Sequence, residues 1–550
     1  MVIYPLFQTD NSSAQCVMTE EVPAPSSVNN GLLHVGKDIV LGDLPVLTKE
    51  ELAAKKAYWK KNIKRMRKIV APMVDQSELA FRMMMRKHGA ELCFSPMIHA
   101  QLFVSDMTYR KTALSSCAGD RPLIVQFCAN EVDTFLSACR LVENFCDGVD
   151  LNLGCPQIIA KRGHYGAYLQ ENTELIRSMV SAVHNHCRLP LSVKIRRLDT
   201  VEETIAYAKM IEVAGASLLT LHGRTREMRG ANTGIADWSY IKSVKNAIEI
   251  PLIANGNIQM EGDLDRCLEE TDADAVMSAE GILNNPYLFE GRHEECWIVA
   301  REYLDYAEKY NATTSAVRAH IFRICHHSLL EYTDLRERVS YVASVGEYRT
   351  IIDELETRVK GLEQYKELIW DEYYASLPGD DLVEKIRGSH HWMCKPYFRP
   401  SKDDSQPSDS VYREKRREEI DRLVEETGLS RRQLRKRERR RITGQKLISH
   451  AMKQIYVKCI RCAQPSGQGC PSVMCRKCCR YVCSRQCLDC KIHRFKFSDR
   501  AAVKIDLAKP AEEKIEEESH RNEEQSSTAC EYIYEHFMAK FSEFEMRENE

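Results

Sequence analysis

Short apolar runs alternate with helical patterns between residues 68 and 290. Eight runs have strand-like composition: KIVAPM (68–73), ELCFSP (91–96), PLIVQF (122–127), GVDLNLG (148–154), LSVKIR (191–196), SLLTLHG (217–223), PLIANGN (251–257) and DAVMSAE (274–280). Amphipathic helices are predicted between them, for example over Glu131 to Phe145, Thr173 to His186, Val201 to Ala214 and Trp238 to Ala247. This alternation is typical of βα units around a parallel sheet. It predicts an α/β fold, a (β/α)8 barrel of TIM type. A doubly wound open sheet is less favoured because no GxGxxG follows the first run.

Polar side chains recur where these runs end. They are Gln126, Asn152, Cys155, Lys194, His222 and Asn255. Barrel enzymes carry their active sites at the C-terminal ends of the strands. Six polar residues at equivalent positions are difficult to explain by packing, so the pattern predicts a site on that face.

The whole chain divides into six predicted segments. They are a disordered N-terminal extension (1–47), the barrel preceded by a charged helix (48–290), a helical domain (291–394), a linker with a basic helical segment (395–450), a cysteine module (451–500) and an acidic tail (501–550). The linker is predicted from the Pro, Ser and Asp residues of 395–412.

Three helices are predicted in the helical domain, over Cys296 to Tyr310, Thr314 to Tyr332 and Arg349 to Leu368. In the second helix, an apolar stripe is formed by Val317, Ile321, Ile324 and Leu329, and a basic surface is predicted from Arg318, Arg323, His326 and His327. The alternative is an ordinary helical cap with solvated charges.

Charge is distributed unevenly, although the net charge is only −2. Residues 411–500 contain 25 Lys/Arg against 9 Asp/Glu, whereas residues 501–550 contain 6 against 14. A basic block of this size suits a polyanion such as nucleic acid; a solvated charged helix or a nuclear-import signal would look similar. We find neither an apolar stretch of ~18–20 residues nor a secretory leader. We therefore expect a cytoplasmic and/or nuclear protein that does not bind membranes.

Nine of the 22 cysteines lie between Cys459 and Cys490. Paired CxxC elements with a 12-residue separation are a strong signal for tetrahedral zinc. The candidate ligands are Cys459, Cys462, Cys475, Cys478, Cys483, Cys487, Cys490 and His493. With Cys470 and Cys479 in addition, the ligands suffice for two ions. We expect one site from Cys459, Cys462, Cys475 or Cys478 and a partner, interleaved with a second from Cys483, Cys487, Cys490 and His493, but spacing does not determine the pairing. An iron–sulfur cluster is the alternative metal centre.

Several motifs follow one another at characteristic spacing. They are APMVDQSELAFR (71–82), DLNLGCPQIIAKRGHYGAYL (150–169), SVKIRR (192–197), LHGRTRE (221–227), IANGNI (253–258) and MSAEGIL (277–283). Together they closely resemble the tRNA-dihydrouridine synthases, in particular the eukaryotic branch that acts on positions 16/17 of the D-loop. The resemblance covers roughly residues 65–330, and the cysteine module is a further similarity.

The resemblance implies reduced FMN as hydride donor, NADPH or NADH as its electron source, and Cys155 as the acid that protonates uracil C5. A thiol suits this task because its ordinary pKa, near 8.5, leaves it mostly protonated at neutral pH. The implied cofactor-binding residues are Pro72, Met73, Val74, Gln126, Lys194, His222, Asn255, Gly256, Asn257, Ala279 and Glu280. Many flavin barrels have Gly-Arg where this chain has Ala279-Glu280. A carboxylate cannot neutralise phosphate, so backbone N–H groups and a helix N-terminus are expected to hold it.

The resemblance also implies tRNA as substrate and a tRNA-binding role for the helical domain. Asn152, Lys161, Arg162 and Arg224 are the candidate substrate residues, with further charge from Arg196, Arg197 and Arg226. The cysteine module is expected to contact RNA, or alternatively a protein partner, and the chain is expected to be a monomer. Two other functions remain open: a reductase of free pyrimidines, and a non-catalytic RNA-binding barrel.

Overall fold

A closed parallel barrel forms the first part of the chain in the computed structural model. The structure describes residues 45–230, 233–366, 382–397, 409–434, 437 and, within 457–497, all but 463, 465, 468, 487 and 496. The strands are β1 (Lys68–Val70), β2 (Leu92–Phe94), β3 (Ile98–His99), β4 (Leu123–Cys128), β5 (Gly148–Leu153), β6 (Leu191–Arg196), β7 (Leu218–His222), β8 (Leu252–Asn255) and β9 (Ala275–Ser278). Strand β1 pairs with both β2 and β9, and β2 pairs with β4, so eight strands close into a ring. The predicted TIM-type barrel is confirmed.

Each of the eight predicted runs contains one barrel strand. The additional strand, β3, pairs only with β4 and has two residues, too few to produce a detectable alternation. In the register of the sheet, Asn152 lies opposite Lys194 and His222 lies opposite Asn255. Parallel pairing therefore brings the polar run ends to one rim of the barrel.

Helices alternate with these strands along the chain. They are α1 (Lys49–Asn62), α2 (Leu79–Lys87), α3 (Ala100–Ser105), α4 (Met107–Ala113), α5 (Val132–Leu141), α6 (Ile158–Arg162), α7 (Thr173–His186), α8 (Val201–Ala214), α9 (Trp238–Lys245), α10 (Asp263–Thr271) and α11 (Glu280–Asn284). Both α7 and α8 have the predicted bounds, whereas α5 and α9 end earlier than predicted. Thr200 caps α8 through a capping box with Glu203, which satisfies backbone N–H groups at the helix start.

Helix α1 belongs to the barrel core rather than to the N-terminal extension. Trp59 is fully buried and joins a cluster with residues of β1, β2, β4, β7, β8 and β9. Lys55 Nζ donates to the carbonyls of Val183, His184 and Cys187, at 3.2, 2.7 and 2.5 Å, and so joins α1 to the C-terminal end of α7.

The helical domain contains α12 (Cys296–Lys309), α13 (Thr314–Ile324), α14 (His326–Glu331), α15 (Thr333–Tyr341), α16 (Val345–Lys360), α17 (Glu363–Lys366) and α18 (Leu382–Gly388). The single helix predicted over Thr314 to Tyr332 is wrong, because the chain leaves helical geometry at Cys325, with φ −94° and ψ 18°. The predicted apolar stripe is buried. The predicted basic surface is only partly correct: His326 is buried, and burial lowers its pKa to about 3, so this imidazole is neutral.

Two compact units divide the chain between Glu414 and Lys415. The first contains the barrel and the helical domain. Helix α19 (Asp409–Thr427) crosses the boundary, and α20 (Arg476–Gln486) lies in the second unit with the cysteine module. Within the described part of the chain, no helix is long and apolar enough to span a bilayer. The predicted extension up to residue 44, most of the linker and the acidic tail lie outside the described residues.

Candidate active site

A chain of hydrogen bonds connects four side chains of β4, β5 and β6 to the backbone of Cys155. Ser192 Oγ donates to Asp150 Oδ1 at 2.5 Å, and Gln126 Nε2 donates to Asp150 Oδ2 at 2.8 Å. Asn152 Nδ2 donates to Gln126 Oε1 at 2.8 Å, and Asn152 Oδ1 accepts from the backbone N–H of Cys155 at 2.9 Å. The strands β4, β5 and β6 therefore position the loop that carries the thiol.

This network orients the amide of Gln126, which is fully buried. Asp150 accepts only from N–H or O–H, so it forces Nε2 towards itself and leaves Oε1 facing Asn152. Burial raises the pKa of Asp150 to about 6. Gln126 still has a second N–H and a second acceptor lone pair for a ligand. Asn152, a candidate substrate residue, is buried and already bonded through both amide atoms.

Glycine at position 166 allows the chain to pass close to Cys155. Gly166 has φ +64°, and a Cβ there would lie 2.8 Å from the carbonyl oxygen of Cys155. The N–H of Ala167 donates to this oxygen at 3.0 Å. On the other side, Arg196 Nε donates to the carbonyl of Gly154 at 2.9 Å. The partly exposed thiol therefore sits on a loop held from both sides.

Positive charge accumulates beside this loop. Lys194 Nζ donates to Asn255 Oδ1 at 3.0 Å, and burial, reinforced by Arg196, lowers the pKa of Lys194 to about 8. Burial and the charges of Arg196, Lys194 and Arg224 lower the pKa of His222 well below its ordinary value. His222 is therefore neutral, and its Nε2 accepts from Arg224 Nη1 at 3.2 Å. Burial is the main cause of both lowered pKa values, and the neighbouring positive charges lower them further.

Arg224 lies inside this cationic region and not at the rim of the barrel. It is buried, and Nη2 donates to Asn257 Oδ1 at 2.6 Å and to the carbonyl of Gly234 at 2.9 Å. Gly256 has φ +113°, and a Cβ there would lie 2.9 Å from Cδ2 of His222. Arg224 and residues 255–257 thus form one packed loop cluster.

Two other candidate cofactor-binding segments are residues 72–74 and the segment that contains Glu280. Pro72, Met73 and Val74 are partly buried. The N–H of Met73 donates to Ser77 Oγ at 3.0 Å, so this N–H is engaged within its own turn. At the other segment, Gln259 Nε2 donates to Glu280 Oε2 at 3.2 Å.

The exposed candidates lie on α6. Lys161 and Arg162 are both exposed in the last turn of this five-residue helix, a few residues after Cys155. Their exposure makes both side chains available to a polyanion.

The cysteine module contains two groups of potential metal ligands. The first is Cys459, Cys462, Cys475 and Cys478, the four residues from which one site was expected, with no further partner in the group. The second is Cys470, Cys479, Cys490 and His493, with ligand atoms within 4.8 Å of one another. Cys483 lies outside both groups, although its Sγ is 3.7 Å from that of Cys479. The second group therefore differs from the predicted set, and Cys487 lies outside the described residues.

A family model described as dihydrouridine synthase matches residues 69–370, more than half of the chain. The chain belongs to the dihydrouridine synthase family. A Mus musculus protein named as a tRNA-dihydrouridine(16/17) synthase-like enzyme of NAD(P)+ is 42% identical over 446 residues, covering 80% of this chain and 90% of the relative. The Saccharomyces cerevisiae tRNA-dihydrouridine(16/17) synthase is 39% identical over 406 residues, covering 70% and 90%. A Homo sapiens tRNA-dihydrouridine(20a/20b) synthase-like protein is 40% identical over 230 residues, covering 41% and 72%.

Two residues of this dihydrouridine synthase site were missed at the sequence level. Asp150 lies within β5 and Ser192 lies near the start of β6. A search for polar residues at strand ends therefore does not find them. The available signal was a carboxylate within the otherwise apolar run GVDLNLG. A buried carboxylate requires hydrogen-bond partners, and that requirement is a reason to look for them in neighbouring strands.

Proposed function

We propose that this protein reduces uridine to 5,6-dihydrouridine in tRNA, with FMN as cofactor and NADPH or NADH as the source of electrons. Family membership and the names of its relatives support the reaction and the substrate. The observation that carries the proposal is the position of Cys155, on a braced loop beside a cationic, partly buried strand-end region.

The residues present suit FMN. Gln126 offers a buried amide with a remaining N–H and lone pair, which matches a ring edge that both donates and accepts. Lys194 and Arg224 place basic groups beside the strand ends, where they would attract an anionic ligand. These groups, with Asn255 and Asn257, would hold the flavin and its phosphate.

When bound, reduced FMN would supply a hydride to the C5–C6 double bond of uracil. Cys155 would donate the balancing proton, so that the S–H bond breaks as a C–H bond forms at C5, and the thiolate then recovers a proton from solvent. Asn152 and Gly166 keep the loop in place during this transfer. Asn152 is therefore proposed as a positioning residue for Cys155 rather than as a contact of the uracil.

The tRNA would approach from the side of α6. Lys161 and Arg162 are exposed there and would pair with phosphates. The target base must turn out of the folded RNA to reach the thiol, as is general for enzymes that act on bases. The relatives named for positions 16/17 support these two uridines as targets.

Replacement of the thiol tests the proposal most directly. Cys155→Ala should lower the rate of dihydrouridine formation by about 10²-fold or more, because general acid catalysis contributes about 10²–10⁴-fold. Flavin absorbance and tRNA affinity should be retained. Cys117→Ala, at another partly exposed thiol, is the matched control and should keep full activity. A Cys155→Ala enzyme with wild-type turnover would remove the proposed acid.

Two further measurements address the substrate. Dihydrouridine mapped position by position in tRNA from cells lacking the protein should disappear at positions 16/17 and persist elsewhere. Purified protein should reduce tRNA and leave free uridine unreacted. Efficient turnover of the free nucleoside would instead support a pyrimidine reductase.

A further inference from the structure

We propose that the cysteine module binds two zinc ions at separate tetrahedral sites whose ligands interleave along the chain. The first site comprises Cys459, Cys462, Cys475 and Cys478, and the second comprises Cys470, Cys479, Cys490 and His493.

Distances within both groups match tetrahedral zinc. Tetrahedral ligation with Zn–S of about 2.3 Å and Zn–N of about 2.0 Å places two sulfurs about 3.8 Å apart, and a sulfur and a nitrogen about 3.5 Å apart. The Sγ atoms of Cys462 and Cys475 are 3.5 Å apart, and those of Cys470 and Cys479 are 3.7 Å apart. Cys490 Sγ and His493 Nδ1 are 3.5 Å apart. These separations are far longer than a disulfide bond, about 2.05 Å, and all of these cysteines are free.

The second group is built into the interior of the module. All four of its residues are buried. Cys490 and Phe495 form a reciprocal pair of backbone hydrogen bonds, at 2.9 and 3.0 Å, and the turn between them carries His493. Gly467 leaves room for the imidazole, since a Cβ at that position would lie 2.3 Å from His493 Nε2. The backbone therefore accommodates His493 in this particular place.

Apolar packing in the module is insufficient to explain its fold. Several large apolar side chains are substantially exposed, namely Val457 (63%), Ile460 (71%), Leu488 (49%) and Ile492 (49%). The buried cluster consists instead of Cys470, Cys479, Cys483 and Cys490, with the partly buried Met474, Phe495 and Phe497 packed against it. A small segment that buries thiols and exposes its aliphatic side chains requires another source of stability, and bound zinc supplies it. Soft thiolate donors in tetrahedral groups favour zinc over hard cations.

Helix α20 connects the two sites. Cys478 and Cys479 are consecutive in this helix, where successive side chains diverge by about 100°, so they belong to different groups. Along the chain, Cys459 and Cys462 belong to the first site and Cys470 to the second. Cys475 and Cys478 belong again to the first site, and Cys479, Cys490 and His493 to the second. Neither site forms from one contiguous segment, so removal of one ion should loosen the other.

Metal analysis of the full-length protein tests this assignment. We expect two zinc ions per chain by elemental analysis and native mass spectrometry. Cys462→Ser and Cys479→Ser should each lower the zinc content by at least one ion. Cys483→Ser is the matched control, because Cys483 is buried beside Cys479 but lies outside both groups, and it should retain two ions.

A conservative variant keeps the test decisive if serine variants misfold. His493→Cys should retain two ions and should shift the visible d–d bands of the cobalt-substituted protein towards those of all-sulfur ligation. Three results would each overturn the proposal. The first is one zinc per chain, and the second is iron with acid-labile sulfide. The third is a Cys483→Ser protein that loses an ion while Cys470→Ser keeps two.

A separate observation concerns Arg323 in the helical domain. Its Nη1 is 3.6 Å from Oε1 of Glu280, at the end of the last barrel strand, where TIM barrels commonly bind phosphate. That separation is longer than the 2.7–2.9 Å typical of a charge-assisted hydrogen bond. The Nε of Arg323 is buried and has no hydrogen-bond partner among the described residues. We infer that Arg323 pairs with the phosphate of FMN and offsets the charge of Glu280.

Because Arg323 has this role only if FMN binds, the inference rests on the proposed function. Riboflavin lacks the phosphate, so affinities for FMN and riboflavin, measured by quenching of flavin fluorescence, separate ring binding from phosphate binding. Arg323→Met should weaken FMN binding by about tenfold or more and leave riboflavin binding unchanged. Arg301→Met, which removes a guanidinium paired with Asp353 and Glu356 in the same domain, should change neither affinity.

The outcomes distinguish the two levels of inference. Equal loss of both flavins, or unchanged FMN affinity, in Arg323→Met would overturn the role of Arg323 and leave the proposed function intact. A wild-type protein that binds neither flavin would overturn the proposed function itself. Adding Glu280→Gln to Arg323→Met should recover part of the FMN affinity, because one repulsive charge is removed.

Discussion

At the scale of single residues, Lys194, Arg196 and Arg224 lie near His222. Burial is the largest cause of the lowered pKa of His222, and these three charges lower it further. Asp150 is the nearby carboxylate that raises the pKa of Lys194, and burial raises its own pKa to about 6. An anionic ligand would interact with these basic groups, and its affinity should therefore depend on their protonation.

Lys194 predicts how FMN affinity depends on pH. Its pKa of about 8 in the ligand-free protein means that the ammonium is lost as pH rises through 8. An anion binds the ammonium form better, so affinity should fall between pH 7 and 9, approaching tenfold per unit above the pKa. Lys194→Met should bind more weakly at pH 7 and show a flatter profile, whereas Lys161→Met should keep the wild-type slope. A flat wild-type profile from pH 7 to 9 would contradict the role of Lys194.

Gly166 predicts a local effect on the loop that carries Cys155. Alanine at this position meets the carbonyl of Cys155 at 2.8 Å and adopts an unfavourable φ of +64°. We expect a loss of about 1–3 kcal/mol in the free energy of unfolding and a fall in kcat of about 10²-fold from displacement of the loop. Gly262→Ala is the control, since it has φ +80° with no atom within 4 Å of the added Cβ. If the two variants had equal activity, close approach to Cys155 would not matter.

At the scale of elements, helix α1 packs against the strands of the barrel. Its hydrophobic periodicity is weak, because it exposes a charged surface and buries mainly Trp59 and Lys55. The cluster around Trp59 includes Ile69 of β1 and Ile124 of β4, two barrel strands distant along the chain. One large side chain thus joins α1 to the barrel core.

Truncation of Trp59 should therefore affect stability much more than chemistry. Trp59→Ala should lower the free energy of unfolding by about 3–5 kcal/mol, the usual range for a buried aromatic replaced by alanine. Urea unfolding followed by circular dichroism measures this, and flavin affinity in the folded protein should change little. Val213→Ala, at a side chain 76% exposed on α8, should leave the unfolding midpoint within error. A Trp59→Ala protein as stable as wild type would show that α1 is dispensable to the barrel.

At the scale of the whole molecule, the candidate active site and the most basic segment belong to different compact units. The strand-end site lies in the first compact unit, whereas residues 411–500, with 25 Lys/Arg against 9 Asp/Glu, belong almost entirely to the second. Such a block suits the sequence-independent part of tRNA binding, in which each neutralised phosphate releases counterions.

Deletion of residues 411–500 should weaken tRNA affinity by roughly tenfold or more near 0.1 M salt and flatten its dependence on salt concentration. Filter-binding or fluorescence titrations at several salt concentrations measure both quantities, and flavin absorbance provides the control for an intact barrel. Unchanged tRNA affinity would instead favour a protein, and not RNA, as the partner of the cysteine module.

The sequence by itself determined the barrel, because its signals are local. Short apolar runs between helical stretches mark the strands, period 3.6 marks helices such as α7 and α8, and parallel strands necessarily bring Gln126, Asn152, Lys194, His222 and Asn255 to one rim. Motifs around Cys155 indicated the family and hence the proposed chemistry. These features require only neighbours in the chain and the rule that parallel strands share a direction.

Tertiary structure alone decided which of these side chains bond to one another. Asn152 faces Gln126 across the strands, Arg224 is buried against Asn257, and His326 is buried although its sequence suggested a charged surface. Cysteine spacing indicated two metal sites but did not determine their ligands. The second group depends on a turn that brings His493 to Cys490 and on the helix that separates Cys478 from Cys479. Contacts between residues far apart in the chain depend on barrel closure and on helix orientation, which no local pattern encodes.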